Sequence, residues 1–305
     1  MEKVIFDLDI GVDDAMALIM GLNDPEVDIK LVTTVFGNVS VEQATKNACF
    51  IIEQCSKYDI PVFYGASRGI RTEGVNAMDV HGRTGLGAKV VAENVSKFPQ
   101  NTSEIGAIEA MRDVVLANPG EITILSVGPV TNLAGLLTKY PEVKSKIKRI
   151  GIEVGSVDGK GSITPYSSFN AYCDPEAVDI VIKSGVPITL TTKEIGTSAF
   201  FDETQRARFR DAGRVGPLLF DLCEGYKDKL LQVGEYAVHD TCVLFAILDT
   251  DIFTRQNVDM AINTTMDEKR GQTKFRSNED SHITLVTSVD KKKLFKKMEQ
   301  NIKLS

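Results

Sequence analysis

The chain has 305 residues, with 42 Asp and Glu against 35 Lys and Arg, which leaves a formal charge of −7. That acidic balance argues against a nucleic-acid partner, because a phosphate backbone calls for a basic face. A composition 43% hydrophobic and 25% charged excludes a disordered chain, and no window reaches the roughly 18 consecutive apolar residues of a membrane span.

The N-terminus lacks the basic and then apolar pattern of a secretory leader, so a cytoplasmic location is expected. Five scattered cysteines, Cys49, Cys55, Cys173, Cys223 and Cys242, form no C-x-x-C pair and read as reduced thiols. Cys173 reads as a small buried hydrophobe, since nothing near it resembles an activating base.

In chain order, short apolar runs predict strands at Val4-Ile5-Phe6, from Leu31 to Val35, at Ile122 to Leu125, at Ile150 to Val154 and at Ile188 to Leu190. Amphipathic stretches from Val41 to Gln54, Ile105 to Ala117 and Pro175 to Lys183 predict helices between them. Such alternation implies βα units in an α/β architecture: an open, mainly parallel, Rossmann-like sheet flanked by helices, with ligands at the carboxyl ends of its strands. No repeat, low-complexity segment or linker divides the chain, so a single domain over 1–305 is expected. The charged stretch DEKRGQTKFRSNED (267–280) reads as a solvated turn or hairpin. Val286 through Ile302 reads as a short strand and a closing basic helix with surface lysines.

The first strand runs directly into Asp7 and Asp9, which alternation would place on one face. Gly11 permits a tight turn, and Asp13-Asp14 open a helix that continues through Ala17, Leu18 and Leu22. An N-cap accounts for one aspartate at a helix start, but not for four converging carboxylates, which must protonate, splay apart or share a cation. Oxygen donors imply a hard cation, and calcium, which takes about six to eight of them, suits the corner better than zinc. The D-x-D-x-G spacing is not an EF-hand loop, because a strand precedes it and Leu18 stands where that loop needs Glu. Downstream, His239-Asp240 precedes an apolar run in a chain with only three histidines, His81, His239 and His282. Alone, that pair is equally well a structural histidine and a helix cap.

The segment DLDIGVDDAMAL resembles the D-x-D-P-G-x-D-D-A opening of the inosine-uridine-type nucleoside hydrolases. Further matches run along nearly the whole chain: Thr33 to Asn38, Val80-His81-Gly82 with Gly85-Leu86-Gly87, Gly128 to Ala134, Thr164-Pro165, Phe169-Asn170, Asp174 to Ala177, and Val238-His239-Asp240. The resemblance implies the nucleoside hydrolase fold, a homodimer or homotetramer, and a role in purine or pyrimidine salvage. It also implies N-ribohydrolase chemistry, in which calcium (Ca2+) holds the attacking water and the ribose diol of a small nucleoside or related N-glycoside. Carried over, Asp9 would be general base and metal ligand, with Asp7, Asp14, the Val127 carbonyl and Asp240 completing the metal set. Asp13, Asn38 and Asn170 would hold sugar hydroxyls, His239 would protonate the leaving base, and His81 would line the base pocket.

Three departures from the family pattern bear on the sugar. Ser162 and Ser168 stand where the family has the Asn and Glu that grip the ribose 5′-hydroxyl, and Val154 stands for a Met that packs near the sugar. A fourth change, Ile10 for the motif proline, removes no ligand. The expectation is altered recognition at the 5′ end, with ordinary ribonucleosides disfavoured against sugars whose 5′-hydroxyl is missing or modified, while the hydrolytic groups are retained. Lys160, in the same loop, could meet an anionic substituent but reads first as a solvated lysine. Two alternatives remain open. Ile5 to Asp9 also resembles the nucleophile motif of haloacid-dehalogenase-like phosphatases, with Asp7 attacking phosphorus. The serine changes would also suit a non-catalytic nucleoside or sugar binder.

Overall fold

The structure, a computed structural model, describes residues 1–93, 95–96, 105–226, 228 and 231–305. Its strands are β1 Glu2–Leu8, β2 Val27–Thr34, β3 Val62–Tyr64, β4 Ile122–Ser126, β5 Ile147–Glu153, β6 Ile188–Thr191, β7 Phe201–Asp202, β8 Glu235–Tyr236, β9 Phe253–Ile262, β10 Thr273–Ser277 and β11 Ile283–Val289. Nine of them form one sheet in the order β10-β9-β11-β6-β5-β4-β1-β2-β3, and β7 pairs with β8 alone. From β3 to β11 the pairs are parallel, and β9 and β10 extend the sheet antiparallel.

Period-two alternation along β1 splits the core into two layers. Val4, Phe6 and Leu8 pack in one layer with residues of helices Val12–Asn23, Val41–Gln54, His239–Leu248 and Lys291–Lys303. Ile5 packs in the other with residues of helices Ile105–Ala117, Thr131–Lys139 and Pro175–Ile182. Each side chain of this size contributes about 1.5–3 kcal/mol on full burial, so strands apolar on both faces belong at the sheet centre.

Chain order reverses between β1 and β4, and doubly wound sheets open a ligand crevice at such a switch, at the carboxyl ends of the strands. Asp9, Asn38, Val127, Glu153 and Lys193 all stand at or just past those ends. The five sequence-predicted strands are present. The charged stretch 267–280 contains the hairpin turn and β10, whose Arg276 pairs with Asp259 of β9 at 2.6 Å. Of the described residues, no helix is long and apolar enough to cross a membrane.

Candidate active site

Asp9 lies one residue past β1, in a slot that two glycines leave open. A Cβ at Gly37 would stand 2.0 Å from its Oδ2, and one at Gly128 would stand 2.7 Å from its Oδ1. The Asn38 backbone N–H donates to Oδ2 at 2.7 Å, which fixes the carboxylate from the β2 side. Asp14 accepts from the backbone N–H groups of Asp9 (3.2 Å) and Gly11 (2.9 Å) and from Asn38 Nδ2 (2.9 Å), closing the turn onto the helix it begins.

Asp7 departs from the expectation. β1 ends at Leu8, so alternation does not carry Asp7 and Asp9 onto one face; Asp7 shares the side of Ile5, beneath helix Thr131–Lys139. Its carboxylate accepts from Thr33 Oγ1 (2.8 Å), Asn132 Nδ2 (2.7 Å) and Ser126 Oγ (2.8 Å). Three side-chain donors hold it in a fully buried site, and it is not one of the carboxylates that bring an oxygen within 4.8 Å of one another, so Asp7 braces the floor. The same enclosure does not favour the phosphatase alternative, in which Asp7 would have to reach a phosphoryl group.

Asp13, Asp14 and Asp240 each bring one oxygen within 4.8 Å of the others, all three buried. Asp13, expected to hold sugar, thus stands among the metal candidates, and its Oδ1 is buried without a hydrogen-bond partner. Burial first, and then the charge of Asp13, pushes the Asp14 carboxyl up to about 6. Burial and neighbouring carboxylates also hold Asp9 and Asp240 well above the usual carboxylate range. An orphaned oxygen inside an all-oxygen, mutually repelling group fits a hard divalent cation.

The two histidines differ in charge. His81 Nδ1 accepts the Val12 backbone N–H at 3.1 Å, which places the neutral ring's proton on Nε2. Burial holds its pKa down to about 4, so the nearby Asp13 at 3.6 Å meets a neutral ring. Tyr226 stacks on it with centroids 5.4 Å apart. Burial works against protonation of His239 as well, but a 2.9 Å hydrogen bond and the charge of Asp228, aided by Glu153 and Asp13, raise it to about 9. His239 is therefore an imidazolium at neutral pH. Gly196 makes room for it, since a Cβ there would lie 2.0 Å from its Nδ1.

One pocket is lined by Asp13, Asn38, His81, Val127, Ser162, Ser168, Asn170, His239 and Asp240 from the sequence-derived set. Asp9 and Asp14 sit behind that surface, 1% and 0% exposed. Asn170 Nδ2 donates to the Val127 carbonyl at 2.6 Å and to Glu153 Oε2 at 3.1 Å. Ser168 Oγ accepts the Gly155 N–H at 2.8 Å, while Ser162 stands exposed at the rim. Val154 is a second departure: it is fully buried in the core layer of Ile152 and is not among the residues that line this pocket. Its neighbour Glu153, the last residue of β5, reaches the pocket instead. Lys160 is exposed, and only its backbone N–H, on Asp158, is held.

Glu153, Lys193, Tyr226 and Asp228 are among the pocket residues that were not foreseen. For Glu153 a signal existed, since an acid at the carboxyl end of an otherwise apolar parallel strand belongs at a ligand site. The others come from segments without periodicity. All five cysteines are buried thiols outside any disulfide, and burial pushes the Cys173 thiol up, away from reactivity.

The family model for inosine-uridine preferring nucleoside hydrolases matches residues 4–296. Uridine nucleosidase 1 of Arabidopsis thaliana is 37% identical over 260 residues, 83% of this chain and 76% of its own. The pyrimidine-specific ribonucleoside hydrolase RihA of Salmonella arizonae is 32% identical over 297 residues, 94% of each chain. The solved plant nucleoside hydrolase PpNRh1 superposes with a TM-score of 0.91 over 99% of both chains at 28% identity. Agreement of that extent, spanning every strand end that builds the pocket, makes the chain a member of the inosine-uridine preferring nucleoside hydrolase family, enzymes that hydrolyse the N-glycosidic bond of nucleosides.

Proposed function

We propose that this N-ribohydrolase takes uridine as a good substrate and uses calcium. The proposal for uridine leans on the relatives named for uridine and pyrimidine nucleosides, and that for calcium on an all-oxygen donor set. Asp14 and Asp240 would hold the ion, with Asp9, Asp13 and the Val127 carbonyl beside it. When bound, the ion supplies charge neutralisation, Lewis acidity toward water and a hold on the sugar diol.

The reading rests above all on an imidazolium, His239, on the cavity wall and the Asp9 carboxyl group held just behind it. Asp9 takes a proton from water as its oxygen bonds to C1′. The bond from C1′ to the base nitrogen breaks, its electron pair leaves with the base, and the His239 proton neutralises that nitrogen. The remaining carboxylates stabilise positive charge developing on the sugar. His81, with Nε2–H free of the Val12 contact, and the Tyr226 ring would flank the base, while Asn38 and Asn170 would meet the diol. A non-catalytic binder has no use for a base and an acid paired at one site.

The chain would work as one domain, and the resemblance implies a homodimer or homotetramer. Release of uracil from uridine, followed by its absorbance change and as reducing sugar, tests the activity. Asp9→Asn and His239→Ala should each lose at least about 10²-fold in kcat. Wild-type protein that releases no base from uridine, cytidine or inosine would refute the reading.

A further inference from the structure

The pocket divides by chemistry. The carboxylates, Asn38 and Asn170 take the diol end, and the histidines with Tyr226 take the base end. The wall left over faces the third arm of the sugar, the 5′-carbon, and the two charged side chains on it are Glu153 and Lys193, each 7% exposed. We infer that Glu153 is the specificity-determining residue there, accepting a hydrogen bond from the substrate's 5′-hydroxyl. The inference rests on the nucleoside hydrolase reading and adds a residue to it.

The enclosed Asp7 has three donors on its two oxygens. Glu153 has one, Asn170 Nδ2 on Oε2 at 3.1 Å, and among the described residues nothing donates to Oε1. It forms no ion pair with a described lysine or arginine, although it is buried on the cavity wall. An acceptor left open toward a cavity suits a hydroxyl donor and costs free energy when the cavity offers none.

Lys193 does not turn the wall toward anions. Its ammonium lies 3.0 Å from Glu194 Oε1 and 3.4 Å from Asp158 Oδ1, so its charge is already opposed twice. Those two carboxylates outnumber it whatever the charge of Glu153, whose pKa burial raises to about 7, so the wall is net negative and a 5′-phosphate would be repelled. The sequence-based expectation of a missing or modified 5′-hydroxyl loses its premise, because the acceptor absent at Ser168 is supplied by the strand end across the loop.

The test compares kcat/KM for uridine, 5′-deoxyuridine, 5′-O-methyluridine and uridine 5′-monophosphate in the wild-type enzyme and in Glu153→Met. Wild type should favour uridine about 10²-fold over both the deoxy and the methyl ether substrates, neither of which can donate a hydrogen bond. In Glu153→Met that ratio should fall to within about threefold of unity through loss on uridine, with the melting temperature recorded alongside. A wild-type ratio near one, a faster monophosphate, or a variant that slows uridine and 5′-deoxyuridine by the same factor would each overturn the assignment. The wild-type series decides even if the variant does not fold. Base release from uridine at any of these ratios upholds the hydrolase reading, so the two fail separately.

Discussion

Replacing Gly128 by alanine measures how closely Asp9 must be held. The new methyl would lie 2.7 Å from Asp9 Oδ1 and 2.9 Å from Cγ. Ordinary contact begins at about 3.4 Å, so the carboxylate must retreat by about 0.7 Å. Retreat is opposed on the other side by Gly37, whose Cβ position is 2.0 Å from Oδ2, and by the Asn38 N–H at 2.7 Å. Gly128 is not among the positive-φ glycines, so alanine brings no backbone strain and the damage stays local. Misplacing a reacting group by about 1 Å costs roughly 10²-fold, and Gly128→Ala should therefore lower kcat/KM on uridine by about 10- to 100-fold. Overpacking should cost about 1–3 kcal/mol, a fall of several degrees in Tm. Base release and a thermal melt on the same preparation give both numbers. A folded variant with wild-type turnover would mean that Asp9 is not the base, or that this slot does not hold it.

Asp228→Asn should slow uridine by about 10- to 100-fold but spare p-nitrophenyl β-D-ribofuranoside, whose leaving group departs without a proton; equal losses on both would deny Asp228 a part in setting up His239. Dialysis against a chelator should abolish base release and lower Tm, since carboxylates held within 4.8 Å repel when no cation joins them, and calcium should restore both; full activity after chelation would contradict the metal assignment. Asp24 links helix Val12–Asn23 to the C-terminal helix through Asn301 (2.9 Å) and Lys297 (3.0 Å). Burial opposes its charge, but the Glu26 amide, Asn301 and Lys297 hold its pKa below 3.8. That contribution is present above pH about 4 and disappears as pH falls through the lowered value. Asp24→Asn should thus cost about 1 kcal/mol at pH 7, with the gap in denaturant stability closing toward pH 3; a gap independent of pH would be the wrong sign of linkage.

Most of the floor was legible because its residues are tied to strand ends that apolar runs reveal: Asp9 after β1, Asn38 after β2, Val127 after β4. Two misplacements share one cause. Alternation was carried past Leu8 to Asp9, and the sugar-facing position was set at Val154 rather than Glu153; a slip of one residue at a strand end exchanges core for cavity. Strand β9 escaped notice because four successive polar residues, Thr254 to Asn257, interrupt it near the sheet edge, and only Phe253 and Val258 of the strand are buried. Tyr226 and Asp228 are brought to the histidines by tertiary packing, and nothing periodic marks them beforehand.

The enclosure of Asp7 also has a consequence for the order in which the molecule comes together. Its partners lie 26, 119 and 125 residues further along the chain, in β2, β4 and the helix after β4. During synthesis the first strand and its helix can collapse early, yet this acid has its full set of donors only once Asn132 has emerged. Until then the N-terminal half carries a carboxylate that resists burial, and the catalytic corner around Asp9 has no brace. Asp7 thereby makes construction of the reactive corner conditional on the far side of the switch point, so that a partial chain does not enclose a working one.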